Sequence, residues 1–130
     1  MAAGAALTTS GLVLALASGS TAAATPELAC LQNAQSTAAL DDCVGAAYAK
    51  ATKELAVAYG KLLAGKGLAP ADRRLLIKAE KKWAQLRDAD CGYAESLAKG
   101  GTLSAVTKGL CLVRDTTDRA SVLRDYLSTS

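Results

Sequence analysis

The sequence predicts an all-α protein: a small bundle of three main helices, preceded by a short N-terminal helix and stapled by two disulfides. Apolar residues recur at steps of three and four along nearly the whole chain after residue 25, which is the period of an amphipathic helix. No segment alternates with the period of two that a half-buried strand requires. Four cysteines in a chain with 4% aromatic residues and no Phe indicate covalent support for a small core.

The chain is predicted to carry one domain behind a signal peptide. Its 130 residues suffice for one core and not for two ordinary domains. No charged side chain precedes Glu27, residues 11–17 form a short apolar run, and Ala22 and Ala24 give an A-x-A cleavage site. We therefore expect residues 1–24 to be removed and residues 25–130 to be exported, to the periplasm or the medium. A lipid-anchored start at Cys30 is the less favoured alternative, because residues 27–29 do not match a lipobox.

The first two helices are predicted near the mature N-terminus. Pro26 can open a short helix that runs through Gln32, and Ser36 or Thr37 can cap a second, longer helix. The glycines at 65 and 67 end the second helix. Its predicted buried face consists of Leu40, Val44, Ala47, Tyr48, Ala51, Leu55, Tyr59 and Leu62.

Two further helices follow on either side of a glycine turn. The third is predicted to begin near Pro70 and to end at Gly100 and Gly101, and Thr102 or Ser104 can cap the fourth. The predicted buried face of the third helix is Leu76, Ala79, Trp83, Leu86, Asp90, Tyr93 and Leu97. That of the fourth is Leu112, Thr116, Ala120, Leu123 and Leu127.

The four cysteines bracket two chain reversals. Cys30 and Cys43 flank the first, and Cys91 and Cys111 flank the glycine turn. A bridge within each bracket would join antiparallel neighbours and stabilise the fold by about 3 kcal/mol. We favour this pairing, although four cysteines allow three connectivities and the sequence leaves the other two open. A zinc site is not expected, because the chain has no histidine and no C-x-x-C spacing.

The sequence predicts a binding protein without catalytic residues, metal or cofactor. The absence of histidine removes the usual Ser-His and Cys-His arrangements. Asp41 and Asp42 are adjacent on a helix, so they are expected to serve its N-terminus and not to form a catalytic pair. A net charge of +3 is too mild to indicate a nucleic-acid partner, and the basic residues within 73–82 are expected to form a solvated face. No membrane span is expected once the signal is removed.

The densest cluster of distinctive residues lies on the third helix. Arg87 is expected to pack its stem on Trp83 and to pair with Asp90 at the i, i+3 spacing. We expect this cluster to be architectural.

Five segments of the chain resemble the LprI-type lysozyme-inhibitor family in order and spacing. They are Lys81-Lys82-Trp83, Arg87-Asp88-Ala89-Asp90-Cys91, Gly100-Gly101-Thr102, Cys111, and Thr116-Thr117-Asp118-Arg119-Ala120. The first cysteine pair, Leu55 and Tyr59 are also similar to the family pattern, so the resemblance covers most of the mature chain. Ala56 and Glu80 depart from it, since the family commonly has Asn and Gln there.

The resemblance implies a helical, secreted or envelope-associated protein whose partner is lysozyme or another cell-wall hydrolase. Lysozymes are typically basic, as this chain is, so long-range attraction does not favour the pair and inhibition would depend on local fit. The candidate partner-binding loop is Lys99, Gly100, Gly101, Thr102 and Ser104. A structural or interaction module of the cell envelope, without a hydrolase target, is the alternative.

Overall fold

A computed structural model describes residues 26–129, which form a 3₁₀ helix and three long α-helices. The 3₁₀ helix spans Pro26–Asn33, α1 spans Thr37–Leu63, α2 spans Pro70–Leu97 and α3 spans Ser104–Ser128. The predicted all-α bundle with a short N-terminal helix is confirmed, and no strand occurs within the described residues. The predicted signal peptide, residues 1–24, lies outside them.

The core lies between α1 and α3. Val44 and Ala47 from α1 meet Val106 and Val113 from α3, and half-buried side chains of the 3₁₀ helix, α1 and α3 surround them. The predicted buried faces of α1 and α3 are correct in phase, since each of these residues is buried or half-buried. α1 begins as predicted, with the hydroxyl of Ser36 accepting a hydrogen bond from the Ala39 amide at 3.1 Å.

Gly109 allows α1 and α3 to approach closely. A Cβ built at this position would lie 2.3 Å from Cγ1 of Val44, well inside van der Waals contact. Val44 is buried and β-branched, so its side chain has little freedom to move aside. A glycine is therefore required where the two helices cross.

The predicted buried face of α2 is wrong in part. Leu76 and Trp83 are half-buried as predicted, but Ala79, Leu86, Asp90, Tyr93 and Leu97 are exposed, and Cys91 is the one fully buried residue of this helix. α2 packs mainly on α3, so only one narrow face of it is covered. The other half-buried side chains of α2 are Glu80, Ala84, Arg87, Ala94 and Glu95.

The prediction that Thr102 or Ser104 caps α3 is also wrong. The N-cap is Leu103, whose backbone is turned (φ −93°, ψ 3°) and whose side chain makes no cap hydrogen bond. The chain closes this end through its backbone, with the Ser104 amide donating to the Gly101 carbonyl at 3.0 Å. Thr107 donates its hydroxyl to the Leu103 carbonyl at 2.9 Å.

Both predicted disulfides are present. Cys30–Cys43 joins the 3₁₀ helix to α1 with the Cα atoms 5.9 Å apart, and Cys91–Cys111 joins α2 to α3 at 5.4 Å. Both distances fall in the ordinary range for a disulfide. No helix of residues 26–129 combines the length and the apolar character needed to cross a bilayer.

Candidate functional site

The candidate loop closes the hairpin formed by α2 and α3. One turn from the loop, Nζ of Lys108 on α3 lies 2.8 Å from Oε2 of Glu95 on α2. The carboxylate of Glu95 raises the pKa of Lys108, through a hydrogen bond and through its charge, which keeps the ammonium protonated. The fully buried Cys91 and the Cys91–Cys111 bridge follow just below. The loop is therefore braced by a covalent bond and an ion pair on its inner side.

The loop itself is a tight, hydrogen-bonded turn. Lys99 and Gly100 both adopt left-handed backbone conformations, with φ of 51° and 70°. The Lys99 amide donates to the Ser96 carbonyl at 3.1 Å, and the Gly101 amide donates to the Ala98 carbonyl at 3.0 Å. A lysine in this conformation is uncommon, and it directs the Lys99 side chain away from the end of α2. Such a loop loses little conformational entropy when a partner binds.

Exposed apolar side chains surround the loop. Tyr93 is 68% exposed, Leu97 is 61% exposed and Leu103 is 50% exposed. We call Tyr93, Leu97, Lys99, Thr102 and Leu103 the hairpin tip. An exposed tyrosine and two leucines near this turn in the chain offer apolar surface of the kind that protein interfaces use. The periodicity of α2 had placed Tyr93 and Leu97 in the core, so the sequence did not indicate this surface.

The motif residues of α2 form a packed stack. The guanidinium of Arg87 lies 4.9 Å from the centre of the Trp83 ring, as predicted. The predicted pairing of Arg87 with Asp90 is wrong. Arg87 instead donates to Oδ1 of Asp88, from Nε at 2.9 Å and from Nη2 at 2.7 Å. Trp83 lies one turn toward the N-terminus, so stacking on its ring draws the guanidinium away from Asp90, which lies one turn the other way.

Glu80 forms an ion pair between α2 and α3 that the sequence did not predict. Oε1 of Glu80 accepts a hydrogen bond from Nε of Arg119 on α3 at 2.5 Å, and the two side chains are only 13% and 15% exposed. The sequence did contain a signal for this pair: Glu80 stands where the family commonly has Gln, and its carboxylate supplies a charge for Arg119. Thr116, one turn before Arg119, is fully buried, and its hydroxyl has no partner within the described residues. The motif residues of α3 thus hold α2 in place.

A cavity lined by charges of both signs lies beside this stack. Asp90, Asp115 and Asp118 line it together with Arg87 and Arg119, and it measures about 340 Å³ between α2 and α3. Nε of Arg114 lies 2.8 Å from Oδ1 of Asp115, and that hydrogen bond and charge raise the pKa of Arg114, with Asp118 and Asp90 adding to the effect. The carboxylates of this cavity are therefore accompanied by arginines and do not form an acidic patch.

Asp115 also lies against the disulfide. One ligand atom from each of Cys91, Cys111 and Asp115 falls within 4.8 Å of the others. Both sulfurs belong to the disulfide, so neither is the thiolate that a zinc or iron site uses. The oxidised arrangement does not fit a metal ion.

The chain matches a known protein-family model. Residues 29–123 match the family model described as "Lysozyme inhibitor LprI". This match includes all four cysteines, α1, α2 and most of α3. No curated protein and no solved structure matches the chain significantly. Because the family model covers more than half of the sequence, the chain belongs to the LprI lysozyme-inhibitor family.

Proposed function

We propose that the protein is an exported, non-catalytic binding protein of the cell envelope that inhibits a cell-wall hydrolase of the lysozyme type. Membership of the LprI family supports an inhibitor-like function. The two disulfides support an oxidising compartment outside the cytoplasm.

The observation that carries the proposal is the rigid, exposed hairpin tip. A turn held by backbone hydrogen bonds, with an ion pair and a disulfide beneath it, carries Lys99, and exposed apolar residues precede and follow it in the chain. Lysozyme cleaves its substrate with two carboxyl groups in a cleft. The ammonium of Lys99 and the hydroxyl of Thr102 suit such a cleft, while Tyr93 and Leu97 suit its apolar walls.

A structural or interaction module of the envelope is the second candidate. It is favoured by the motif residues Trp83, Arg87, Thr116 and Arg119, whose contacts are internal and serve the packing of α2 on α3. The two candidates differ in whether the hairpin tip has a hydrolase target.

A turbidity assay with several lysozyme types, at low and moderate salt, separates the two candidates. We expect stoichiometric inhibition by the oxidised protein and a loss of at least about tenfold in affinity for Lys99→Ala with Thr102→Ala, since interface centres carry most binding energy. Lys78→Ala is the matched control, because this exposed lysine lies on α2 roughly 30 Å from Lys99 at 1.5 Å per residue. Inhibition that survives the loop variant would reject the tip, and inhibition of no hydrolase would favour the envelope module.

A further inference from the structure

A groove runs between the C-terminal halves of α1 and α3, at the opposite end of α3 from the hairpin tip. Its cavity measures about 420 Å³, with Val57, Ala58 and Leu127 forming an apolar floor. A second cavity of about 450 Å³ shares Lys61 and Leu127 and continues the groove over Leu62 and Leu68 toward the α1–α2 loop. Both volumes lie within the range of about 300–1,000 Å³ that is usual for small-ligand sites.

Cations dominate the rim of this groove. Lys50, Lys53, Lys61 and Arg124 line the first cavity against one carboxylate, Glu54. Glu54 is shared between Nζ of Lys50 at 3.9 Å and Nη1 of Arg124 at 3.6 Å, so its charge is already compensated. Lys66 adds a further cation in the second cavity.

Two of these lysines are available to a ligand. Within the described part of the chain, Lys53 and Lys61 make no ion pair. They lie four residues to either side of Val57, so the three side chains follow one stripe along α1. An anionic group held by either lysine would therefore sit directly beside the apolar floor.

The lining of the groove selects the ligand. It extends roughly 16 Å along α1, from Lys50 to Lys61, and sets Lys53 and Lys61 beside an apolar floor, so it suits an amphipathic anion. The backbone groups of the walls are bonded within α1 and α3, which leaves none of them for an extended peptide. A hydrocarbon chain fits, because it is narrow and needs no hydrogen bonds.

From this geometry we infer that the groove binds a single-chain lipid with an anionic headgroup, its acyl chain on Val57, Ala58 and Leu127 and its headgroup on Lys53 or Lys61. The site is independent of the proposed inhibition. Arg124 lies roughly 30 Å along α3 from Ser104, so a bound lipid leaves the hairpin tip free.

Calorimetric titration of the oxidised protein with dodecyl phosphate, below its micelle concentration, tests the inference. We expect one molecule bound per chain, and binding at least about tenfold weaker both for a neutral dodecyl glycoside and for inorganic phosphate. Lys53→Ala with Lys61→Ala should weaken dodecyl phosphate binding by about tenfold or more. Lys78→Ala with Lys81→Ala removes the same charge outside the groove and should leave binding unchanged.

A variant of the apolar floor tests whether the alkyl chain of dodecyl phosphate contributes to binding. Val57 is 49% exposed, so Val57→Asp is compatible with folding, which its thermal midpoint verifies, and it should abolish dodecyl phosphate binding. The inference is overturned if dodecyl phosphate does not bind, if the two double-lysine variants bind alike, or if a polyglutamate peptide binds and displaces it. Unchanged hydrolase inhibition in the groove variants would keep this result separate from the proposed function.

Discussion

The two helices that flank α3 are held to it by different forces. Against α1, the contact is apolar and close, built from valines, alanines and the glycine at 109. Against α2, the Cys91–Cys111 disulfide, the Glu80–Arg119 pair and the Glu95–Lys108 pair join the helices beside half-buried side chains, and Cys91 is the one fully buried residue on α2. Apolar packing thus makes the core, while covalent and ionic bonds attach the helix that carries half of the hairpin tip.

The two contacts therefore have different roles: the α1–α3 contact stabilises the core, and the α2–α3 contact holds the hairpin tip in place. Among the described residues, α1 and α3 carry every fully buried residue except Cys91, whereas α2 leaves Leu75, Leu86, Tyr93 and Leu97 exposed. A helix with so little burial depends on its attachments to stay in place. Changes to those attachments should therefore act on α2 first.

The largest effect is expected from removing the bridge of the hairpin. Cys91→Ala with Cys111→Ala should lower the free energy of unfolding by about 3 kcal/mol on the loop-entropy model. Hydrogen exchange should show that α2 loses protection while α1 and α3 keep theirs. Cys30→Ala with Cys43→Ala is the matched control, and it should leave α2 protected. A uniform loss of protection in the first variant would contradict the division between the two sides.

The next effect concerns the Glu80–Arg119 pair. Glu80→Leu should cost about 2–3 kcal/mol, because it leaves the nearly buried Arg119 without its carboxylate. Glu80→Gln keeps an accepting oxygen and should cost about 1 kcal/mol. Urea unfolding of the double variant, Glu80→Leu with Arg119→Leu, should recover much of the loss, since apolar replacements of a buried pair are often neutral. If the double variant instead lost the sum of the free energies of unfolding that Glu80→Leu and Arg119→Leu lose separately, the pair would not act as a unit.

On the α1 side, Gly109→Ala tests the close approach. Alanine normally stabilises a helix relative to glycine by up to about 1 kcal/mol, and that gain is expected for Gly45→Ala, whose Cβ would meet nothing within 4 Å. At Gly109 the Cβ would collide with Val44, so we expect a loss of about 1–2 kcal/mol. Thermal unfolding of the two variants should therefore shift in opposite directions. Stabilisation by Gly109→Ala would mean that the helices are not in close contact.

The smallest effect is expected at the exposed pair beside the loop. Glu95 raises the pKa of Lys108 above its unfolded value, so the pair stabilises the fold at neutral pH and its contribution is lost as the pH rises through that raised pKa. Lys108→Met should be slightly less stable than the native protein at neutral pH, and this difference should begin to fall near the ordinary lysine pKa of about 10.4 and vanish above the raised pKa. A stability difference that stayed constant with pH would exclude the pair as its cause.

The sequence predicted α1 and α3 well because the apolar stripe at helical spacing is the face that these two helices bury. In α2 the same reasoning failed, since Leu86, Tyr93 and Leu97 are exposed while Glu80 and Arg87 turn inward. Periodicity follows side-chain polarity, and a face built on an ion pair and a cation–π contact reverses the expected pattern. The face of α2 that packs on α3 could still have been predicted, because a disulfide between Cys91 and Cys111 requires Cys91 to face α3.

The candidate site was predicted only in part. The glycine turn and its bridging cysteines pointed to the candidate loop, but Tyr93 and Leu97 were assigned to the core and Leu103 was not singled out. The cation-rimmed groove had no sequence signal, because Lys53 and Lys61 on α1 meet Arg124 and Leu127 only when α3 packs beside them. Sites formed between distant segments depend on the packing of the helices and are not visible in either segment alone.

The most direct measurement is hydrolase inhibition by the two disulfide variants under the same conditions. If α2 is held by its attachments and presents the hairpin tip, the variant lacking Cys30–Cys43 should inhibit like the native protein, and the variant lacking Cys91–Cys111 should lose inhibition while its α1–α3 core stays folded. Equal inhibition by both variants would contradict a role for the braced hairpin.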